Sequence, residues 1–174
     1  MENEKAPAKK IIINYGIILG IISVLLGVVM YITNEYTDPH WIYSVAGFLI
    51  LIGVVIYGIK AYKTSNNGFL TLTDALKVGI GIAMIGGIIG AIWSLTLTTV
   101  IEPDYTQQVL DAQREKMLED PNITEEMAEQ SISIMEKFSS PFISIAFSII
   151  GSLFFGFIIS LIGGLIMQKK QDLY

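Results

Sequence analysis

Four stretches of this chain, residues 11–33, 41–59, 78–100 and 141–167, contain no Asp, Glu, Lys, Arg or His. An α-helix rises ~1.5 Å per residue, so the first stretch alone would be about 34 Å long, enough to cross a ~30 Å hydrocarbon layer. Apolar residues make up 52% of the 174-residue chain, and they come in blocks rather than alternating with polar ones as on a soluble amphipathic helix. Backbone polar groups in lipid must be paired within the segment, which selects helices, and the dyad alternation of a membrane β-barrel is absent. The expected fold class is all-α: an integral membrane four-helix bundle. The first stretch is read as a retained span rather than a secretion signal. It exceeds the ~7–15 residues of a signal core and is followed by Asn34, Glu35 and Tyr36 instead of a small-residue cleavage site.

The charges between the runs predict the threading. Lys5, Lys9, Lys10, Lys60, Lys63, Lys77, Lys169 and Lys170 fall on one side, and only Arg114, Lys116 and Lys137 on the other, eight of eleven basic residues against three. Lys and Arg concentrate on the cytoplasmic side, so both termini (1–10 and 168–174) and the loop 60–77 are expected inside, with the loop 34–40 and the segment 101–140 outside. Tyr31, Tyr36, Trp41 and Tyr43 would ring the outer interface, and Tyr15, Tyr57 and Tyr62 the inner one, since such rings are apolar with one wet polar atom.

Lipid tails are as apolar as leucine, so membrane helices associate through close approach at small residues. Ser144, Ser148, Ser152, Gly156, Ser160 and Gly164 recur every four residues and share one face of the fourth span. Gly79, Ala83, Gly87 and Ala91, with a second row at Gly86, Gly90 and Ser94, do the same in the third, and Gly16 and Gly20 in the first. The main expectation is packing within one chain; a homodimer seam or a serine-lined path are the other readings.

Residues 101–140 carry ten acids against three bases. Pro103 suits a helix start, and a helix is expected from about Asp104 to Leu118, ended by Asp120-Pro121. Thr124 would cap a second helix with Glu125 and Glu126 in its first turn, where the dipole favours acids. Met127, Ser131, Ile134, Met135 and Phe138 recur at helical spacing. The result is an acidic helical hairpin, packed on itself or resting on the membrane. In the loop 60–77, Asn67-Gly68 signals a turn, Thr71 or Thr73 would cap the helix leading into the third span, and Phe69, Leu70 and Leu72 would lie among headgroups.

No residue is singled out as catalytic, cofactor-binding or metal-binding. The chain has no cysteine and a single histidine, His40, which makes no zinc site alone. Asp120, Asn122 and Thr124 mimic the first positions of a calcium loop, but Glu125 stands where glycine is needed and Ser131 where a glutamate is. Nucleic-acid binding would need a dense basic patch, which is missing.

The stretch Asn66-Asn67-Gly68-Phe69-Leu70-Thr71 leading to Ala75-Leu76-Lys77-Val78-Gly79, the step Glu102-Pro103-Asp104-Tyr105 and the acidic insert before the fourth span resemble the DUF4199 family. These are four-span membrane proteins found mainly in Bacteroidota, with no assigned activity. The resemblance implies the inner membrane of a Gram-negative cell, with the hairpin in the periplasm. The expected function is a non-enzymatic structural or partner-binding membrane protein that uses its hairpin to meet a periplasmic or membrane partner; the alternative is a subunit of a homo-oligomeric transporter or channel. No cofactor is expected.

Overall fold

A computed structural model describes residues 8–169. Lys5 and Lys170, used in the charge count, and most of both tails lie outside the described residues. Among the described residues six α-helices follow in order: α1 (Ala8–Ile32), α2 (Trp41–Ser65), α3 (Leu72–Thr96), α4 (Tyr105–Leu118), α5 (Glu125–Phe138) and α6 (Pro141–Met167). A π-helical turn, Leu97–Ile101, prolongs α3. Helices α1, α2, α6 and the joined α3 segment are each long and apolar enough to cross a membrane.

The helices overrun the uncharged runs at the end opposite the hairpin. α2 continues past Lys60 and Lys63 to Ser65, and α3 starts at Leu72, leaving a loop of only a few residues. Lysine ends a hydrophobic run without ending a helix, because its stem lies along apolar surface while the ammonium reaches water. The turn itself needs left-handed backbone, supplied by Asn67 (φ 55°) and Gly68 (φ 82°). Of the two candidate caps, Thr71 serves: its side chain accepts the Asp74 N–H at 3.1 Å. Thr124 caps α5 and Ser140 caps α6, with Pro141 in the first turn where no N–H is required.

α3 runs through the middle of the bundle, against α1, α2 and α6. The predicted small-residue faces meet here, except toward the hairpin end, where Ser144 and Ser148 stay exposed and nothing lies within 4 Å of a Cβ at Gly90. A Cβ at Gly16 would lie 2.6 Å from Ile85 Cβ, and one at Gly20 would lie 2.6 Å from Ile89 Cβ, so α1 rides directly on the isoleucine ridge of α3. Between α3 and α6, Gly156 faces Ala83, Gly164 faces Ala75, and the Ser152 hydroxyl donates to the Ala83 carbonyl at 2.8 Å. Close approach of this kind multiplies dispersion contacts, which drive helix association where lipid offers no hydrophobic gain. The opposite faces carry exposed Ile17, Ile21, Leu25 and Val29 on α1 and Phe142, Phe147, Ile150 and Phe154 on α6. An apolar surface of that extent is untenable in water and ordinary against acyl chains.

The packed core is off-centre. Its buried members, among them Val55, Ile59, Tyr62, Leu70, Ala75, Val78 and Ile82, gather toward the end with the short loop. Two residues expected at the inner interface, Tyr62 and Leu70, are buried inside the protein there rather than presented on its surface. The reason is chain closure: Leu70 and Lys169 exchange two backbone hydrogen bonds of 2.9 Å, and Lys63 Nζ donates to the Met167 carbonyl at 2.8 Å. These contacts fold the loop inward over the end of α6 and satisfy carbonyls that the helix terminus leaves unpaired.

A tyrosine-lined collar and a hydroxyl-lined cavity at the hairpin end

Three threonines prepare the exit from α3. The hydroxyls of Thr96, Thr98 and Thr99 donate to the carbonyls of Ile92, Ser94 and Leu95 at 2.7–2.9 Å. Such back-bonding loosens and bends a helix. The turn that follows is π-helical and closes with the Glu102 N–H on the Leu97 carbonyl at 2.8 Å. One residue more per turn rotates the chain relative to an α-helix, and Glu102 ends up facing α1 and the loop 34–40.

There Glu102 is held by two donors. The Gln108 amide gives a 2.7 Å hydrogen bond to Oε1, and the Tyr31 hydroxyl a 3.3 Å bond to Oε2. Tyr36 donates to Gln108 Oε1 at 2.7 Å, and the Tyr105 hydroxyl donates to the Tyr36 carbonyl at 3.4 Å. The rings assist: Tyr31 and Tyr36 have centroids 5.4 Å apart, and Tyr36 stacks on Tyr105 at 5.7 Å. Burial, with a smaller contribution from neighbouring Tyr36, pushes the Tyr105 phenol above its ordinary pKa, so it stays a neutral donor. At the rim Lys116 Nζ meets Asp38 at 2.7 Å, and that hydrogen bond, then the aspartate's charge, raises the lysine pKa. The collar fastens the hairpin to the bundle.

Glu102 is the exception among the ten acids. Asp104, Asp111, Glu115, Glu119, Asp120, Glu125, Glu126, Glu129 and Glu136 are all exposed. Arg114 links the two hairpin helices, 3.0 Å from Glu125 and 3.8 Å from Glu129. Buried Ala128 on α5 and Leu110 on α4 mark the dry seam of the hairpin. The calcium-loop mimic forms local bonds instead: the Asn122 N–H and side-chain amide both donate to Asp120 Oδ1 at 2.9 Å, and Thr124 caps α5. Those bonds, the backbone one first, lower the Asp120 pKa. His40 caps α2 through a 3.4 Å contact from the Ile42 N–H to Nδ1. Among the described residues no group of three or more His, Cys, Asp or Glu side chains is placed to hold a metal ion.

Between the hairpin and the first turns of α6 lies a cavity of about 220 Å³. Ser94, Thr98, Tyr105, Thr106, Ser139 and Ser144 bring hydroxyls to it, beside apolar Leu95, Val109 and Ile145. A second, more open hollow of about 350 Å³ lies deeper, with Ser23, Ser44, Ser148 and Ser152 on its walls and Gly86, Gly87 and Gly90 along α3.

Sequence reasoning missed the collar and both cavities. The signal for the collar was present in part: Gln108 sits on the same α4 face as Tyr105, Val109 and Ala112, where a polar residue is out of place unless it has a buried partner.

Fold and surface define a multi-pass helical membrane protein with a soluble acidic hairpin inserted before its last span. The chain belongs to the family described as a protein of unknown function, DUF4199, whose model matches residues 14–169, nearly the whole chain. No curated protein and no solved structure gives a match.

Proposed function

We propose that this is a non-enzymatic partner-binding protein of the inner membrane, with both termini cytoplasmic and the hairpin presented outside as an acidic platform. The observation that carries the reading is the division of labour among the acids. Glu102 is spent on anchoring, through Tyr31 and Gln108, while the other nine carboxylates face solvent on a hairpin that the collar holds still. A surface with a large net negative charge steers and selects partners of the opposite sign. The partner chemistry this favours is a cationic protein surface.

The alternative, a homo-oligomeric transporter or channel subunit, needs small-residue faces free for a neighbouring copy. Most of those of α3 and α6 meet within one chain, at Gly79, Ala83, Gly156, Ser160 and Gly164, and only the Ser144–Ser148 end stays open, so the platform reading is preferred.

The test compares the full chain with a variant carrying Glu115→Gln, Glu119→Gln, Glu126→Gln and Glu136→Gln, none of which is in an ion pair with a described residue. Both are reconstituted in nanodiscs and used to capture proteins from the matching periplasmic and membrane fractions. The expected result is a specific basic protein, held by the parent chain at low salt, released by salt and lost from the variant. Equal capture by both chains, or none by the parent, rejects the platform. The threading is tested separately. The chain has no cysteine, so single cysteines at Glu126 and Asn67 report cleanly: a membrane-impermeant maleimide should reach the first from outside and the second only after permeabilisation.

A further inference from the structure

The 220 Å³ cavity at the hairpin end has hydroxyl groups from three elements that the protein does not use. The hydroxyls of Thr98 and Ser139 close onto the carbonyls of Ser94 and Met135, and that of Tyr105 onto the Tyr36 carbonyl. Those of Ser94 on α3, Thr106 on α4 and Ser144 on α6 have no hydrogen-bond partner among the described residues, and all three line the same space. Convergent unspent polar groups in a partly enclosed, otherwise apolar cavity are the mark of a ligand site.

The lining selects the ligand. It contains no charged side chain, so an ion or a phosphate would lose its hydration with no opposite charge in return. Serine and threonine hydroxyls donate readily to carbonyl and ester oxygens. The space is smaller than the ~300–1,000 Å³ of pockets that engulf a whole drug-sized molecule, so it admits a head and leaves a tail outside. Ser94, Leu95 and Thr98 belong to one helix long and apolar enough to cross a membrane, and Pro141, Ser144 and Ile145 to another, which sets the cavity at the hairpin ends of two membrane-crossing helices, next to the acyl chains.

We propose that this cavity binds the uncharged, carbonyl-bearing head of a membrane lipid, gripped by Ser94, Thr106 and Ser144, with its tail in the bilayer. A diacylglycerol and an isoprenoid quinone share this chemistry. The site is independent of the acidic platform, because none of the nine exposed acids lines it.

The experiment uses the full chain in phosphatidylcholine nanodiscs with photoreactive analogues of dioleoylglycerol, of an isoprenoid quinone and of anionic phosphatidylglycerol. One or both neutral probes should label the protein well above the anionic one, and the neutral probe that labels identifies the source. Adducts mapped by mass spectrometry should fall within residues 94–109 and 139–145. Ser94→Ala combined with Thr106→Val should weaken binding about tenfold, the worth of one or two hydrogen bonds, while the unfolding midpoint stays at the parent value. Adducts scattered along the lipid-facing faces of α1 and α6, labelling as strong with the anionic probe, or a double variant labelled like the parent would each overturn the assignment. The mapping is read on the parent chain, so it decides even if the variant misfolds.

Discussion

The side chain of Ser160 occupies the space that any side chain on Gly79 would need. A Cβ on Gly79 would collide with the Ser160 hydroxyl and lie 2.8 Å from its Cβ. Ser160 is fully buried, and its hydroxyl donates back to the Gly156 carbonyl of its own helix. At this point of the α3–α6 seam one glycine meets one serine, with no room to spare.

Gly79→Ala is expected to destabilise the bundle by about 1–3 kcal/mol, the usual cost of overpacking a tight contact. Gly90→Ala is the matched control, because nothing lies within 4 Å of a Cβ there. It should be neutral or stabilising by up to ~1 kcal/mol, the helix preference for alanine. Steric-trapping or denaturant unfolding in one detergent measures both. Equal effects would mean that the α3–α6 seam is looser than described.

Tyr36→Phe removes the hydrogen bond to Gln108 and leaves the ring stack with Tyr105. One such bond is worth about 0.5–1.5 kcal/mol net. Local opening of α4 should rise by roughly 2- to 12-fold, read as faster amide exchange across Tyr105–Leu118. Exchange in α3 should stay unchanged, since its packing does not pass through Tyr36. Unaltered α4 exchange would show that the collar does not hold the hairpin.

Lys63→Met deletes the ammonium that meets the Met167 carbonyl while keeping most of the apolar stem. A cation at a helix C-terminus contributes ~0.3–1 kcal/mol. The last turn of α6 should fray, with exchange increasing at Gly164 to Met167 and not at Gly156. A variant with an equally protected α6 terminus would assign that closure to the Leu70–Lys169 backbone pair alone.

Asp120 gives a pH signature. Its folded pKa lies below the ordinary 3.8, held there by the donors of Asn122. A depressed carboxylate pKa stabilises the folded state above the unfolded pKa, and that contribution fades as pH falls through the folded value. The turn between α4 and α5 should therefore hold at neutral pH and loosen only below about pH 3.8. The carboxyl carbon shift of Asp120 should titrate below a free aspartate, and Asn122→Ala, which deletes the side-chain donor but keeps the backbone N–H, should return it only part of the way. An unshifted midpoint in the parent chain would rule the interaction out.

The four spans and the hairpin were legible because each rests on one-dimensional information. A run free of charge is long enough for a bilayer or it is not, and Thr71, Thr124 and Pro141 act on their own helices within a turn. The small-residue faces were legible for the same reason, since a four-residue spacing fixes a helix face whatever it meets. Which face meets which was not. Gly79 opposite Ser160, Leu70 drawn inward by Lys169, and Glu102 joined to Tyr31 across a sequence separation of 71 residues are pairings between distant segments. The collar and the hydroxyl-lined cavity exist only once the π-turn has rotated Glu102 and three helices have met. Local chemistry, written in order along the chain, set the membrane helices and their ends. The crossing of those helices set everything that a ligand or partner would touch, because contacts between remote residues depend on rotation and depth that no short stretch of sequence encodes.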